Sequence, residues 1–549
     1  MAAFISALAA KSRFTGCCHK TSVIGWAGLF TETPQPVAII HSGMAILTAS
    51  VAPPSESRTS IAEARSARDH VPAKPSAGGR TAAPLLLLAA FIILAAVVRI
   101  LPIHNDLWLD ELISLRMANT IKTPWQVFTA LHKDNNHYLN TLYLYFVKNQ
   151  NSPSVYRYLS LLWGILLIPA GYWLLARRSR LVATIFAGLL ACSYPLTHFS
   201  AEARGYSGAL LGSVLAAAAL ASWMSEENHK WRSIALGLTY AVGVILAFLS
   251  HLTALLIWFP LAAGSLVVLM ERPQRTQWIA RWIALNSLPA GVLAALYYFD
   301  LRFLTEAGGQ PMTVSHGLAR LLALGLGLPG RGTMTAWLLL VPLVTIIAWQ
   351  LAKQRKSGES LWLALALIYA MPAVCVLVLH PGFFSPRYFL VILPFLYASI
   401  ATLLAALARN RRGRMACAAI LVLFLAGQSR LYARFLQVGH GQFTAALEFM
   451  MAHTPAPRVI VTSDQDYRSS VELAWYAPRL LKRQQLFYVP QGNSSMPPDW
   501  YIFHQEGYEL PAPPSLNLPG QPTWFRVAYF GASELSGQAW TIYSHHPTN

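Results

Sequence analysis

Leu107-Trp108-Leu109-Asp110-Glu111 follows closely on Leu85–Leu101 (LLLLAAFIILAAVVRIL), an apolar run about as long as a bilayer crossing requires. On an ideal helix Asp110, Glu111 and Ser114 fall within one arc of about 100°. The opposite side of that helix is apolar. The pattern predicts an amphipathic helix in the membrane interface, with its apolar side down and its carboxylates up. A solvated juxtamembrane helix without a chemical role is the alternative at this point.

The composition indicates a polytopic membrane protein. Of the 549 residues, 55% are hydrophobic and 12% are charged, and the mean hydropathy is +0.43. A soluble domain carries about 25% charged residues. The net charge of +19 comes from Lys and Arg in short runs between apolar segments, which is typical of cytoplasmic loops, so we expect no nucleic-acid partner. The five cysteines show no metal-ligand spacing, so we expect neither a disulfide framework nor a zinc-cysteine site.

Apolar segments of about 20 residues follow one another through most of the chain. Eleven are predicted to span the membrane: about 82–101, 155–176, 181–199, 204–224, 232–250, 251–270, 278–299, 335–352, 361–380, 388–408 and 414–432. If the N-terminus is cytoplasmic, every second loop should carry Lys and Arg, and all five such loops do. The shorter apolar run Leu139–Val147 is then expected in the interface. The chain is thus predicted to be a multi-pass protein of the inner or plasma membrane.

Three regions follow from these patterns. Residues 1–81 are expected to form a cytoplasmic, disordered extension, and residues 82–435 a transmembrane module. Residues 436–549 contain short β-rich runs near 459–462, 486–489, 500–503 and 525–530, with helical patterns at 442–453 and 468–481. The fold class is therefore an all-α polytopic membrane protein of about eleven transmembrane helices plus interfacial helices, with a small C-terminal extracytoplasmic α/β domain.

Ionisable residues collect at the predicted outer ends of the spans. They are Asp110, Glu111, His132, Asp134, His137, Glu202, Arg204, Tyr206, His251, Arg387 and Tyr388. Charged groups at membrane depth are costly unless they pair or line a wet cavity, so they suggest a functional site. Acidic and basic groups on one face could form a cleft in which Arg binds a phosphate and Asp handles a proton.

Each of these groups also has a structural interpretation. Glu202 and Arg204 could pair only with each other or with lipid headgroups. His251 could be hydrogen-bonded to the backbone, and Arg387 could extend its charge to the headgroups. The mixture of charges nevertheless occurs at the outer ends and not in the predicted inside loops, which favours a shared site.

The order of the motifs resembles the C-type glycosyltransferases of family 39, which include protein O-mannosyltransferases and lipid A aminoarabinose transferases. Asp110-Glu111 comes first, Asp134-Asn135-Asn136-His137 next, then Glu202-Ala203-Arg204-Gly205-Tyr206, and last Ser385-Pro386-Arg387-Tyr388. The resemblance covers residues 82–408. One departure is that Tyr138-Leu139 follows His137, where family members usually have Pro-Pro.

The resemblance implies roles for individual residues. Asp110 matches the acidic residue that acts on the acceptor, and Glu111 beside it is the second catalytic candidate. Arg204, Arg387 and Tyr388 match the segments near the donor phosphate. The residues that would contact substrate are Glu202, His137, Tyr206 and His251.

The predicted function is transfer of a sugar from a polyprenyl-phosphate donor to a glycan, lipid or protein acceptor on the extracytoplasmic face. Membrane lipid is a further partner. No cofactor is certain, but a divalent metal is a candidate, with Glu111, His132, His137 and His251 as candidate ligands. Two alternatives stay open: a flippase or transporter of lipid-linked sugars, and a non-catalytic subunit of an envelope-polysaccharide assembly.

Overall fold

The structure is a computed structural model. It describes residues 79–148, 150, 152–225, 229–305, 314–328, 345, 348, 352, 362–374, 385–455, 457–480, 485–491, 496–506 and 512–545. Residues Ala83–Asn549 form one compact unit, which contains every feature discussed below. The predicted extension over residues 1–81 falls almost entirely outside the described residues, so its cytoplasmic, disordered character stays a prediction.

Helices make up most of the described chain. They are α1 Gly79–Ile100, α2 Leu109–Thr120, α3 Gln126–Thr129, α4 Tyr138–Phe146, α5 Tyr158–Ala176, α6 Arg180–Cys192, α7 Tyr194–Ser200, α8 Tyr206–Met224, α9 Lys230–Ser250, α10 Leu255–Met270, α11 Arg275–Phe299, α12 Val314–Gly325, α13 Trp362–Val374, α14 Leu393–Leu407, α15 Arg411–Val438, α16 Phe443–Ala452 and α17 Asp466–Leu480. Short 3-10 turns cover Leu101–His104, Pro153–Arg157, Leu252–Ala254, Leu301–Phe303 and Pro386–Ile392.

Within the described residues, eight helical segments are long and apolar enough to cross a membrane. They are Ala83–His104, Pro153–Ala176, Tyr206–Met224, Lys230–Ser250, Leu252–Met270, Arg275–Phe303, Arg387–Leu407 and Arg411–Val438. The pair α6 and α7 would make a ninth, bent by 57°. The bend has a local cause: Ser193 between the two helices is extended, and Pro195 in the first turn of α7 has no N–H to continue α6.

These segments confirm the prediction of a multi-pass, mainly α-helical membrane protein. Nine of the eleven predicted spans correspond to a described segment or to the bent pair. The predicted span 335–352 lies almost entirely outside the described residues, and of 361–380 the structure describes the helix Trp362–Val374. The short run at Leu139–Val147 forms the nine-residue helix α4, which is too short to cross a bilayer.

The C-terminal part contains a six-stranded mixed sheet. Its strands are β1 Arg458–Ser463, β2 Gln485–Tyr488, β3 Trp500–Glu506, β4 Ser515–Leu516, β5 Trp524–Phe530 and β6 Gln538–Ser544. Their order is β2-β1-β3-β6-β5-β4, with β1 parallel to β2 and β3 and the remaining pairs antiparallel. The four predicted strands and both predicted helices are confirmed, whereas β4 and the fully buried β6 were not predicted. The domain boundary at residue 435 stays a prediction.

The sequence predicts that the apolar side of α2 faces lipid. In the structure this side packs against the C-terminal region instead. Leu107, Leu112 and Leu115 belong to one hydrophobic core with residues of α16, α17, β1, β3 and β6. The sheet therefore covers the apolar side of α2, because burial against the sheet removes that surface from water as completely as lipid would. The acidic first turn of α2 is thereby fixed between the membrane helices and the sheet.

Candidate functional site

The first turn of α2 holds the acidic pair in two different environments. Glu111 is fully buried and Asp110 is partly exposed. The Oε2 atom of Glu111 accepts the backbone N–H of Trp108 at 3.1 Å, which satisfies one free donor at the helix start. Negative charge in this turn also complements the helix dipole.

Glu111 forms a buried bidentate ion pair with Arg157. The distances from Nε and Nη2 of Arg157 to the two Glu111 oxygens are 2.7 and 2.6 Å, and both side chains are 0% exposed. The other Arg157 donors bind the backbone carbonyls of Ile103, Asn105 and Asp106. Glu111 Oε1 also accepts the backbone N–H of Ala203 at 2.7 Å. The pair thus ties the segment before α2 to the segment that carries Arg204.

Asp110 is contacted by two guanidinium groups at the same oxygen. Arg204 pairs with its Oδ2 atom, and Arg387 Nη1 lies 2.9 Å from that atom. Burial opposes ionisation of Asp110, but the charges of Arg204 and Arg387 outweigh it, so the pKa of Asp110 is lowered.

The histidines predicted to bind substrate lie behind Arg204. His137 Nε2 accepts from Nε and Nη2 of Arg204 at 3.0 and 2.8 Å, and its Nδ1–H donates to Ser250 O at 3.2 Å. Burial, together with the Arg204 charge, lowers the pKa of His137 well below its usual value. His251 and Tyr206 pack against the ring of His137, with centroids 4.6 and 5.6 Å away. A neutral His137 therefore orients Arg204 without adding charge.

Glu202 makes its hydrogen bonds with Trp108 and Ser536 and only a longer ion-pair contact with Arg204. It accepts from Trp108 Nε1 at 2.9 Å and from Ser536 Oγ at 3.0 Å, whereas its nearest contact with Arg204 is 3.9 Å. The interpretation that Glu202 and Arg204 pair only with each other is therefore wrong. Burial raises the pKa of Glu202 to about 7, which the nearby charge of Arg204 only partly offsets.

The structure brings most of the predicted site residues together. Asp110, Glu111, Glu202, Arg204 and Arg387 are linked by the contacts above, and His137, Tyr206, His251 and Tyr388 are linked by ring contacts. His132 is separate from both sets: its Nδ1 lies 2.6 Å from Asp300 Oδ1, and Asp300 Oδ2 accepts from Tyr138 OH at 2.6 Å.

A different set of residues offers metal ligands. Within the described residues, the three-residue group whose ligand atoms lie within 4.8 Å of one another is His198, Glu202 and His440, which includes none of the four candidates predicted from sequence. Two imidazoles and a carboxylate are ligands that zinc accepts. However, His198 Nε2 and Glu202 Oε2 both contact Ser536 Oγ, and both His440 nitrogens face backbone carbonyls at 3.3 Å. An ion would have to displace these contacts, so we assign no chemical step to a metal.

Sequence reasoning missed several residues of this network. They are Trp108, Arg157, His198, His440 and Ser536. Trp108 stacks on His440 at 6.3 Å, and Arg387 lies over the Trp108 ring at 5.4 Å. Arg157 could have been predicted from the sequence as part of the network, because an arginine at the edge of an apolar span needs an anionic partner.

Comparisons with known proteins give structural neighbours only. No protein-family model matches the chain, and no curated protein matches it. Similar solved structures include ArnT from Cupriavidus metallidurans in the apo state, with 12% identity over 84% of this chain and 97% of that chain, at a TM-score of 0.47. ArnT bound to undecaprenyl phosphate has 13% identity over 84% and 98%, at a TM-score of 0.48.

A further similar structure is the archaeal oligosaccharyltransferase AglB from Archaeoglobus fulgidus, in complex with an inhibitory peptide and a dolichol-phosphate. The identity is 13% over 77% of this chain and 69% of that chain, at a TM-score of 0.44. ArnT and AglB are of the same C-type class that the sequence resembles. At identities of 12% and 13% nothing about activity follows from the likeness, and the case for a function rests on the site.

The first prediction concerns the buried pair. Arg157→Met would leave the Glu111 charge without a partner, so we expect the free energy of unfolding to fall by about 3–5 kcal/mol. Adding Glu111→Leu should recover part of that loss, and the two single changes should be strongly non-additive. Thermal unfolding of the purified wild type, the two single variants and the double variant measures these changes in the free energy of unfolding. Arg116→Met, on the exposed side of α2, is the control and should change the free energy by less than about 0.5 kcal/mol. Additive losses would contradict a direct coupling.

The second prediction concerns Glu202. Because its pKa is raised to about 7 in the folded protein, the folded state binds the proton more tightly than the unfolded state between about pH 4.5 and 7. Stability should therefore fall as the pH rises through this window and level off above it. Glu202→Gln should remove this contribution, and its melting temperature should exceed that of the wild type at pH 8. An unchanged pH dependence in Glu202→Gln would show that Glu202 is not the titrating group.

Proposed function

We propose that this chain is an integral-membrane glycosyltransferase that uses a polyprenyl-phosphate sugar as donor. The supporting observation is the convergence of Arg204 and Arg387 on one oxygen of Asp110. In addition, Arg387 Nε is buried and has no hydrogen-bond partner among the described residues. A buried donor without a partner is costly, and a phosphate oxygen would satisfy it.

The reaction is substitution at the anomeric carbon of the donor sugar. The acceptor oxygen forms the new bond to this carbon while the bond from carbon to phosphate oxygen breaks. The electron pair of the broken bond stays on the phosphate, where Arg204 and Arg387 neutralise the added charge. Asp110 receives the proton of the acceptor hydroxyl. Tyr388 lies beside His251 on the donor side of this arrangement.

The lowered pKa of Asp110 would make it a weak base if both guanidinium groups stayed in place. The donor phosphate competes for the same two groups. When it binds them, Asp110 loses the charges that lower its pKa and becomes a stronger proton acceptor. Glu111 cannot fill this role, because Arg157 and Ala203 occupy its oxygens. Its part is to position Asp110, and Glu202, His137, Tyr206 and His251 complete the wall of the site.

The position of the site favours an enzyme over a transporter. Asp110 follows the span Ala83–His104, Arg204 precedes the span Tyr206–Met224, and Arg387 begins the span Arg387–Leu407. A transporter usually carries its site near the bilayer midplane between repeated halves. The Lys and Arg distribution supports a cytoplasmic N-terminus, with the site and the sheet on the extracytoplasmic side. The acceptor is a glycan, lipid or protein that reaches this side.

The third prediction tests the proton acceptor. Asp110→Asn keeps the shape of the side chain but removes its basicity, so we expect sugar transfer to fall at least about 100-fold. The measurement is transfer from labelled polyprenyl-phosphate sugars in membranes that carry the chain. Asp106→Asn, four residues earlier, is the control, because Asp106 caps the start of α16 through Thr444. Near-normal transfer by Asp110→Asn would remove Asp110 from the mechanism.

The fourth prediction tests the phosphate contact. Arg387→Gln loses a charge-assisted hydrogen bond worth about 1.5–3 kcal/mol, so undecaprenyl phosphate should bind about 10- to 100-fold more weakly. Titration of the purified protein with this lipid gives the affinity. Arg302→Gln, at the end of another span where the guanidinium lies over Tyr298, should bind as the wild type does. Equal affinities for wild type and Arg387→Gln would exclude the proposed contact.

A further inference from the structure

Arg99 is an arginine within the first membrane span, and its side chain is fully buried. It lies near the end of the span Ala83–His104, and 0% of its surface is exposed. Throughout the described ranges of the chain, its guanidinium binds neutral groups and no carboxylate. A charge at this depth is costly unless polar groups compensate it, so the contacts of Arg99 indicate its role.

The guanidinium of Arg99 binds the end of helix α6, where the bent span is interrupted. Its Nη2 donates to Leu190 O at 3.0 Å, and its Nη1 donates to Ala191 O at 3.1 Å. The last carbonyls of a helix have no N–H partner within that helix, and α6 stops because Ser193 is extended. The positive charge also complements the negative end of the helix dipole. Arg99 therefore satisfies acceptors that the break in the span would leave without donors.

The same guanidinium also contacts helix α7, which follows the break. Arg99 Nε donates to the hydroxyl of Ser200, the last residue of α7, at 3.3 Å. The Ser200 hydroxyl in turn accepts from Ser207 Oγ, in the first turn of α8, at 3.3 Å. Glu202 and Arg204 lie in the turn between these two serines. Arg99 thus contacts the base of the turn that carries both site residues.

Helix α5 contacts this turn from another side. Ser160 Oγ donates to the backbone carbonyl of Arg204 at 2.8 Å. Gly164 lies one helical turn further along α5, on the same face. A Cβ atom at Gly164 would overlap Ser200 Oγ and lie 3.2 Å from Arg99 Nε. Only glycine therefore leaves room at this position for the hydrogen bond between Arg99 and Ser200.

The contact with Ser200 goes beyond what the break in the span requires. The two carbonyl contacts would be enough to satisfy the end of α6. The third contact instead links that end to the turn of residues 200–207, whose Arg204 guanidinium pairs with Asp110. A displacement of about 1 Å at a contact with a reacting group can cost about 100-fold in rate, so the position of this turn matters for the site.

We propose that Arg99 is a positioning residue for the donor, which holds the turn of residues 200–207 so that Arg204 meets the phosphate of the lipid carrier. Arg99 acts through Ser200 and does not itself touch the phosphate. This inference rests on the proposed function, since it assumes that Arg204 binds that phosphate. It adds a residue of the first span, remote from the reacting atoms, to the groups that determine donor affinity.

The test measures binding of undecaprenyl phosphate to the purified full chain in phosphatidylcholine nanodiscs. Arg99→Lys keeps the charge, but one ammonium group cannot reproduce the fork of guanidinium contacts, so we expect the affinity to fall about tenfold. Ser200→Ala keeps the contacts of Arg99 with α6 and removes its link to the turn, so the loss should be similar. The double variant should bind no more weakly than the weaker single variant, because both changes remove the same contact.

Gly164→Ala tests the same contact without changing either partner. Its methyl group would displace the Ser200 hydroxyl from Arg99, so this variant should also bind undecaprenyl phosphate about tenfold more weakly. Gly291→Ala is the matched control, because a Cβ atom at Gly291 has nothing within 4 Å. It should bind the lipid as the wild type does.

Two further controls match the changes in Arg99 and Ser200. Arg177 Nη1 donates to Ser222 O, in the last turn of α8, at 3.2 Å, so Arg177→Lys alters a similar contact at a different helix end. The exposed Ser287 donates to Ala284 O at 2.8 Å, so Ser287→Ala removes a similar hydroxyl remote from the turn. Both variants should keep the lipid affinity of the wild type within about twofold.

Hydrogen exchange of the lipid-free protein supplies a second measurement. The backbone N–H groups of Ala203 and Arg204 are both hydrogen-bonded, to Glu111 Oε1 and to Glu202 O. If Arg99 holds the turn, peptides that cover residues 200–207 should exchange faster in Arg99→Lys than in the wild type, and the controls should leave this exchange unchanged.

Two results would overturn the inference. The first is a lipid affinity of Ser200→Ala and Gly164→Ala equal to that of the wild type, which would decide the question even if Arg99→Lys did not fold. The second is a set of independent losses that add in the double variant. Failure of the proposed function looks different: the wild type would then not bind undecaprenyl phosphate, whereas exchange in residues 200–207 would still depend on Arg99.

Discussion

The buried ion pair between Glu111 and Arg157 is the constraint on which the site depends. All the donors of Arg157 are used, on Glu111 and on three backbone carbonyls before α2. Glu111 in turn binds the backbone of Trp108 and Ala203. Burying two charges is expensive unless such additional hydrogen bonds complete the pair. Here they do, and the result is a rigid junction between the end of the first span and the segment that carries Arg204.

This junction explains why adjacent carboxylates differ in their properties. Glu111 points inwards, and its oxygens bind Arg157 and backbone N–H groups. Asp110, the preceding residue of the helix, points to the two guanidinium groups of the site. Glu202 is a third case, because it lies against the sheet with a pKa raised to about 7. The three carboxylates thus occupy three different electrostatic environments around Arg204. Such separation of acidic groups by environment is a common property of catalytic sites.

The sequence predicted the convergence but not the contacts that create it. Asp110, Arg204 and Arg387 could be placed on one face, because span length and loop charge fix which span ends share a side of the membrane. The four strands that were predicted are short runs rich in β-branched and aromatic residues, which is a local signal. In contrast, the partners of Glu111 and Glu202 depend on contacts across 46 and 334 residues, which no local pattern encodes. The lowered pKa of Asp110 is likewise not encoded locally, since it depends on arginines that are remote in sequence.

The role of α2 shows most clearly how the fold determines the site. An amphipathic helix beside a span predicts contact with lipid, but amphipathicity alone does not reveal which apolar surface will cover the helix. In this chain the cover is the sheet, whose residues share a hydrophobic core with α2. Ser536, next to β6, binds Glu202, and Tyr476 of α17 binds the backbone before Asp110. The C-terminal region is therefore part of the wall of the site, because the same contacts that bury α2 also fix the position of its acidic first turn.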